Sequence, residues 1–255
     1  MAWLNQHDHF DPDMLDNSVL GIAAKLARHD SGIHCHQMGQ LLFSQQGCMR
    51  IMLNESLSIL PPARIAWIPA GIDHRVQVTG VAGYRSIYLS PQDYPCLPVT
   101  LAILTASPLL REILERIALA DFNTDWHQGA AAHLMSVCLD EIGIAQRELS
   151  PLPLPQDRRL RHLSNVDTLP PLKALARYSG ASEKTISRIF LRETGLSFQQ
   201  WRQQWRLIKA IELLAEGDGQ SDVAGKLGFS SDSAFCTFFK NMTGSSPGIY
   251  MMLRR

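Results

Sequence analysis

Two helix-turn-helix patterns stand in tandem over the last eighty or so residues, and no other feature constrains the fold as tightly. The first runs from Leu175-Ala176-Arg177-Tyr178-Ser179-Gly180-Ala181-Ser182 through Thr185-Ile186-Ser187-Arg188-Ile189-Phe190 to Gly195-Leu196-Ser197. The second runs from Val223-Ala224-Gly225-Lys226-Leu227-Gly228 through Ala234-Phe235-Cys236-Thr237-Phe238-Phe239-Lys240 to Gly244-Ser245-Ser246-Pro247. Ala176 and Gly180 recur forty-eight positions on as Ala224 and Gly228. After one extra residue in the turn, Ser182, Phe190, Gly195 and Ser197 recur forty-nine on as Ser231, Phe239, Gly244 and Ser246. A repeat of this length is one supersecondary unit copied.

Each position has a physical reason. A small residue early in the first helix lets the second pack closely, and the turn glycine supplies a backbone geometry that other residues resist. Ser182 and Ser231 stand where a hydroxyl satisfies free amides at a helix start. In the second helix of each unit, Ile186, Ile189 and Phe190, or Phe235, Phe238 and Phe239, share a buried face. The opposite face presents Glu183, Lys184, Ser187, Arg188 and Arg192 in the first unit. In the second it presents Asp232, Ser233, Cys236, Thr237 and Lys240. Between the units, Ser197 to Ala215 reads as one helix, with Phe198, Trp201, Trp205, Ile208 and Ile211/Leu214 at helical spacing. Its ~19 residues would span roughly 28 Å, close to the ~34 Å between successive major grooves on one DNA face. Arg202, Arg206 and Lys209 are expected to reach phosphates.

Charge supports a polyanion partner for this half. Residues 1–155 carry nine Lys+Arg against fifteen Asp+Glu, a net of minus six, and residues 156–255 carry fifteen against nine, a net of plus six. A basic surface gains affinity for DNA by releasing condensed counterions, whereas the acidic half disfavours unspecific adhesion. The five cysteines (Cys35, Cys48, Cys96, Cys138, Cys236) are odd in number and form no C-x-x-C pair. With no signal-peptide pattern and no apolar run of about twenty residues, the expectation is a cytoplasmic chain without a membrane partner.

The first half reads differently. From Val19 to about Leu89, short apolar runs (Leu41-Leu42-Phe43, Met49 to Leu53, Ile65 to Ile68, Tyr84 to Leu89) alternate with Gly47, Asn54, Pro61-Pro62, Gly71 and Gly80. That pattern predicts a small β-barrel or sandwich. Ser107-Pro108 then opens a helix carrying Leu109, Leu110, Ile113, Leu114 and Ile117. A second helix follows Asp125, with Ala131, Leu134, Met135, Cys138, Leu139 and Ile142. This pair either covers the sheet or also joins two subunits of a homodimer. Ser150-Pro151-Leu152-Pro153-Leu154-Pro155 cannot continue a helix and reads as an extended hinge.

The C-terminal motifs, including Ser187-Arg188-Ile189-Phe190, Gly195-x-Ser197, Gly244-x-Ser246-Pro247 and Tyr250, resemble the DNA-binding domain of the AraC/XylS family over about residues 165–252. The resemblance implies base-reading roles for Lys184, Ser187 and Arg188, and for Asp232, Ser233, Cys236 and Thr237. Thr237 stands where the family commonly has arginine, the strongest bidentate reader of guanine, so the first unit is expected to dominate specificity. In the first half, His34-Cys35-His36, Gln40, Gly47 and Pro69-x-Gly71-x-x-His74 resemble the two motifs of the cupin barrel. A cupin holds a metal with three histidines and a glutamate. Here Gln40 replaces that glutamate, and Val78 replaces a usual asparagine. His34, His36, Gln40 and His74 therefore read either as a site for a divalent transition metal or an effector, or as a structural trio of barrel histidines. Phe43, Trp67, Tyr84 and Tyr88 are candidate walls of an effector pocket.

The resulting expectation is an α+β multidomain chain. Residues 1–149 form a cupin-like β-barrel with a helical pair for effector sensing and dimerisation, residues 150–160 a proline-rich linker, and residues 161–255 an all-α domain with two helix-turn-helix units. Its partners would be promoter DNA, a small-molecule effector, a second copy and, for an activator, RNA polymerase. The alternative is a cupin metal-dependent oxygenase or isomerase fused to a DNA-binding tail. Segments 11–17 and 155–159 also resemble the NimR-type subgroup, which implies control of a neighbouring exporter gene and a toxic small aromatic effector.

Overall fold

The computed structural model describes residues 3–4, 10–53, 55–62, 64–147, 151–166 and 168–252. Asn54, expected as a turn, and Ser150, at the expected linker start, lie outside them. Contacts divide the chain into two compact units, residues 1–51 with 60–150, and residues 52–59 with 151–255.

The first unit is built on strands β1 (Trp3–Leu4), β2 (Val19–Asp30), β3 (Gly39–Leu53), β5 (Arg64–Ile68), β6 (His74–Leu89) and β7 (Ala102–Thr105), with β4 (Ser56–Leu60) following β3 in sequence. The order β1-β2-β6-β3 is extended by β5, which pairs with both β3 and β7. Strands β1 and β2 run parallel, whereas β2–β6, β3–β5 and β5–β7 are antiparallel pairs. The runs around Leu41 and Met49 belong to one strand. Gly47, expected to end a strand, sits inside β3 with φ +81°. A glycine in that conformation bends a strand without ending it.

Helices α1 (Pro108–Ala118) and α2 (Gly129–Ile144) follow. Ser107 caps α1 by accepting from the Leu110 amide, and Pro108 takes the first helical position. Leu41, Phe43, Ile65, Trp67, Ile87 and Leu89 on one sheet face pack with Leu110, Ile113, Leu114 and Ile117 of α1 and Met135, Cys138 and Ile142 of α2. The helices therefore cover the sheet. Gly21 lets the end of α1 come close, since a Cβ there would lie 2.3 Å from the Ile117 carbonyl oxygen. Arg85 of β6, almost fully buried, joins Glu115 of α1 at 2.6 Å.

The second unit contains β8 (Leu152–Pro153), then α3 (Leu172–Tyr178), α4 (Glu183–Thr194), α5 (Phe198–Glu216), α6 (Gln220–Lys226), α7 (Asp232–Thr243) and α8 (Pro247–Met252). Ser182 and Ser231 accept from the amides of Thr185 and Ala234, capping α4 and α7 as their sequence positions required. Gly180 and Gly228 both take positive φ, +60° and +69°, in the two turns. Helix α5 has nineteen residues and opens on a capping box between Ser197 and Gln200, a reciprocal pairing that satisfies two free amides at once. Leu175, Ile186, Ile189, Phe190, Phe198, Trp201 and Trp205 form one core.

The proline-rich segment, expected as an extended hinge, is extended and also packed. Leu152 and Leu57 face each other as β-partners, and Leu152, Leu154 and Leu160 are buried in the core that holds Phe190 and Trp201. The alternating leucines carry enough apolar surface to hold the segment down, and proline is tolerated on an edge strand. Trp201 completes the attachment by donating its indole N–H to the Pro153 carbonyl at 2.6 Å.

Replacing Trp201 by alanine should therefore lower the stability of the second unit by about 3–5 kcal/mol. Urea denaturation followed by circular dichroism checks this. A loss under about 1 kcal/mol, the size of an ordinary surface change or less, would show that the core does not depend on this residue.

Candidate DNA-reading faces and a buried histidine cluster

Helix α4 turns Ile186, Ile189 and Phe190 inward and leaves Glu183, Lys184, Arg188 and Arg192 exposed, with Ser187 half-buried. Its amphipathic spacing dictates this division. Arg192 is not wholly free, because it donates to Glu193 Oε1 at 2.6 Å. The other oxygen of Glu193 accepts the Gln156 and Asp157 amides at 2.9 and 3.0 Å. Arg188 is left as the exposed fork in the middle of the face.

Helix α7 buries Phe235 and Phe239 and exposes Asp232, Ser233, Thr237 and Lys240, while Cys236 is half-buried. The Cys236 thiol donates to Gln220 Oε1 at 3.0 Å, and Asp232 accepts from the Ser221 hydroxyl. Gln220 and Ser221 of α6 thus join this face, although nothing in the repeat pattern marks them. Phe238, expected in the core, is half-buried and lies tilted against Phe229 with ring centres 5.0 Å apart.

Helix α5 corrects two expectations about phosphate contacts. Lys209 is buried beside Glu212, 3.3 Å away, and lies 5.8 Å from the Trp205 ring centre. Arg206 turns back onto the second helix-turn-helix. Its Nε and Nη2 donate to the Leu227 carbonyl at 3.2 and 2.5 Å, and its guanidinium lies 4.0 Å above the Phe229 ring. Burial lowers the pKa of this guanidinium from its ordinary value. Helical periodicity places both side chains on α5 but does not reveal these partners, and for Arg206 they come from the turn after α6.

In the first unit, His34, His36 and His74 converge, with a ligand atom of each within 4.8 Å of the others. His34 and His74 pair through their backbones, each amide donating to the other's carbonyl at 3.0 and 2.9 Å. Gly71 donates to the His36 carbonyl at 2.9 Å, so the Pro69–Gly71 turn delivers His74 beside the other two. The ring centres of His34 and His74 lie 4.3 Å apart, those of His36 and His74 5.0 Å. His36, His74 and Gln40 are buried; His34 is half-buried.

Each imidazole presents Nδ1 to a carbonyl oxygen: His34 to Gly32 at 3.2 Å, His36 to Met38, and His74 to Ile72 at 2.8 Å. A carbonyl only accepts, so these contacts assign the ring proton to Nδ1 and leave Nε2 as a lone pair. Burial pushes the His36 ring below the ordinary imidazole range and takes His74 down to about 4. The His74 ring is therefore neutral near pH 7. The Nε2 atoms of His36 and His74 stand 3.4 and 3.1 Å from Gln40 Oε1. The Gln40 amide nitrogen donates to Ser86 Oγ at 2.8 Å and Tyr88 OH at 3.1 Å.

The four expected pocket walls do not line one space. Tyr88 stands edge-on to His36 at 5.1 Å, and Tyr84 shares the parity of Ser86 and Tyr88 along β6. Phe43 and Trp67 belong to the core under α1 and α2. Strand alternation explains the split, because Phe43 lies three residues from Gln40 and so faces the other side of the sheet. Trp67 pairs in register with Leu41, which has the same parity as Phe43.

Comparison with known families agrees with this architecture. Residues 17–122 match the family described as AraC-like ligand binding domain, and residues 175–252 match a helix-turn-helix domain family. The HTH-type transcriptional regulator NimR of Escherichia coli (strain K12) is 34% identical over 227 residues, covering 87% of this chain and 82% of NimR. The HTH-type transcriptional regulator RipA of Corynebacterium glutamicum is 35% identical over 103 residues, 38% of this chain and 31% of RipA. Among solved structures, ToxT from Vibrio cholerae covers 94% of this chain and 99% of its own at 11% identity and a TM-score of 0.37. The DNA-binding domain of AdpA in complex with a target DNA covers 36% of this chain and 83% of its own at 32% identity and a TM-score of 0.32. With a ligand-binding domain ahead of two helix-turn-helix units, this chain belongs to the AraC family of ligand-responsive transcriptional regulators.

Proposed function

We propose that this chain is a cytoplasmic regulator that reads promoter DNA by placing α4 and α7 in successive major grooves on one face of the duplex. The observation that carries this reading is the pair of exposed faces on α4 and α7, joined through α5, a nineteen-residue helix roughly 28 Å long. Arg188 and Lys184 read base edges from α4. Asp232, Ser233, Cys236 and Thr237 contribute from α7, while Arg192, Lys240 and Glu183 flank the two faces. Arg188 dominates, since a guanidinium pairs two acceptors of guanine at once and Thr237 has no such fork.

The histidine cluster is the sensor site. Three imidazole nitrogens and one amide oxygen suit a divalent transition metal, and the ring protons held on backbone carbonyls resemble the outer contacts that orient metal-bound imidazoles. Tyr84 and Tyr88 flank this site. Ligand at the site changes the populations of conformers that differ in how they present the DNA-reading helices. The helical pair supports a homodimer, because α2 leaves Val137 and Ile144 exposed beside its buried face. As an activator the dimer would also engage RNA polymerase, and a neighbouring exporter gene is the proposed target. The chain acts by binding and has no enzymatic step.

Two results test this reading. Arg188→Ala should weaken specific binding by ~1–3 kcal/mol at matched salt, measured by fluorescence anisotropy on the regulated promoter. Unchanged affinity would remove Arg188 from base reading. His36→Ala combined with His74→Ala should abolish metal uptake, measured by mass spectrometry of the intact chain, and with it the response of DNA binding to ligand. If uptake and response both survive, the sensor site lies elsewhere.

A further inference from the structure

The Gln40 amide occupies an unusual position between two kinds of neighbour. On one side stand the Nε2 lone pairs of His36 and His74, 3.4 and 3.1 Å from Oε1. On the other stand the Ser86 and Tyr88 hydroxyls, 2.8 and 3.1 Å from the amide nitrogen. With Oε1 toward the rings, three acceptors face one another and no proton lies between them. A buried cluster of acceptors is costly unless a cation or a donor enters it. The O–N contacts of 3.1 and 3.4 Å match the ~3.4 Å edge of a tetrahedron with ~2.1 Å metal–ligand bonds. The full histidine spread of 4.8 Å is wider, so the rings must turn inward to close on an ion.

A half-turn of the amide gives the opposite pattern. The NH2 group then donates to both Nε2 lone pairs, and Oε1 accepts from the Ser86 and Tyr88 hydroxyls, which can donate as readily as accept. Every polar atom of the network is satisfied without any cation. A carboxylate at this position could not do this, because it has no proton to give the imidazoles and would bury a charge among lone pairs.

We propose that Gln40 makes this a reversible metal site, its carbonyl ligating a divalent transition ion when one is present and its NH2 group filling the site when the ion leaves. This rests on the reading of the histidine cluster as the sensor site, and it explains why an amide serves there better than a carboxylate. A sensor has to be well formed in both states. A permanently loaded site needs only one. His34, half-buried at the edge of the cluster, marks the side from which an ion enters.

The test uses the full chain, stripped with chelator and titrated with Co2+, whose visible absorption reports tetrahedral nitrogen–oxygen ligation, and then with competing Zn2+. The unaltered chain should bind one cobalt and release it fully to chelator. Gln40→Glu should bind at least ~10-fold more tightly and Gln40→Leu about 10–100-fold more weakly, in the range known for groups that tune a metal centre. Metal-free Gln40→Glu should melt below the unaltered chain, and saturating metal should raise its Tm by more. If that variant does not fold without metal, recovery of its fold on refolding with Zn2+, and not without it, reads the same preference. Equal cobalt affinity in the unaltered chain, Gln40→Glu and Gln40→Leu would overturn the ligand role of Gln40. No cobalt uptake, with a DNA response to an organic effector that His36→Ala abolishes, would overturn the metal and leave the sensor reading intact. No uptake and no effect of His36→Ala on any response would sink both.

Discussion

The packing of helix α5 is the constraint on which the DNA-reading half depends. At one end Phe198, Trp201 and Trp205 fill the core that also holds Ile186, Ile189 and Phe190 of α4. Further along, Arg206 grips the Leu227 carbonyl and the Phe229 ring at the turn between α6 and α7. A cation over an aromatic face is attracted by the ring quadrupole, and burial partly desolvates the Arg206 guanidinium. The two recognition helices are thus set by one rigid element instead of by a flexible connection. If α5 bent or these contacts slipped, the exposed faces of α4 and α7 would shift relative to each other.

The sensor half is organised by a different constraint, the disposal of buried polar groups. Gln40, His36, His74 and Ser86 lie in the interior, where each unmatched polar atom costs free energy. Backbone carbonyls of residues 32, 38 and 72 settle the ring tautomers, and the Ser86 and Tyr88 hydroxyls settle the outer side of the amide. What remains unmatched is the space where Oε1 meets the Nε2 atoms of His36 and His74, 3.4 and 3.1 Å away. The chemistry of the unit is concentrated in that space, on the opposite face of the sheet from the apolar core under α1 and α2.

Much of this was legible in the sequence. The tandem repeat identified the two helix-turn-helix units because period, turn glycine and capping serine all pointed to one structure, and such agreement between local signals is what defines a fold. Alternation along one strand groups His34, His36 and Gln40, and the resemblance of Pro69-x-Gly71-x-x-His74 to the second cupin motif adds His74. Other features were not legible, for identifiable reasons. The fate of Arg206 depends on partners in a later turn of the chain, and that of Lys209 on burial against the unit's core, neither of which periodicity on one helix can supply. Phe43 and Trp67 read as pocket walls by residue type alone, whereas parity along β3 and β5 puts them on the helix-covered face. The proline run read as a hinge since proline excludes helix, whereas its intervening leucines determine that it packs.

We propose that the two recognition helices, α4 and α7, engage two successive turns of DNA. The most direct measurement is a DNase footprint of the purified chain on the DNA upstream of its own coding sequence and of the genes beside it. Protection across two adjacent helical turns on one face is the predicted result. Protection confined to a single turn, or none at low salt with or without divalent metal, would contradict the account.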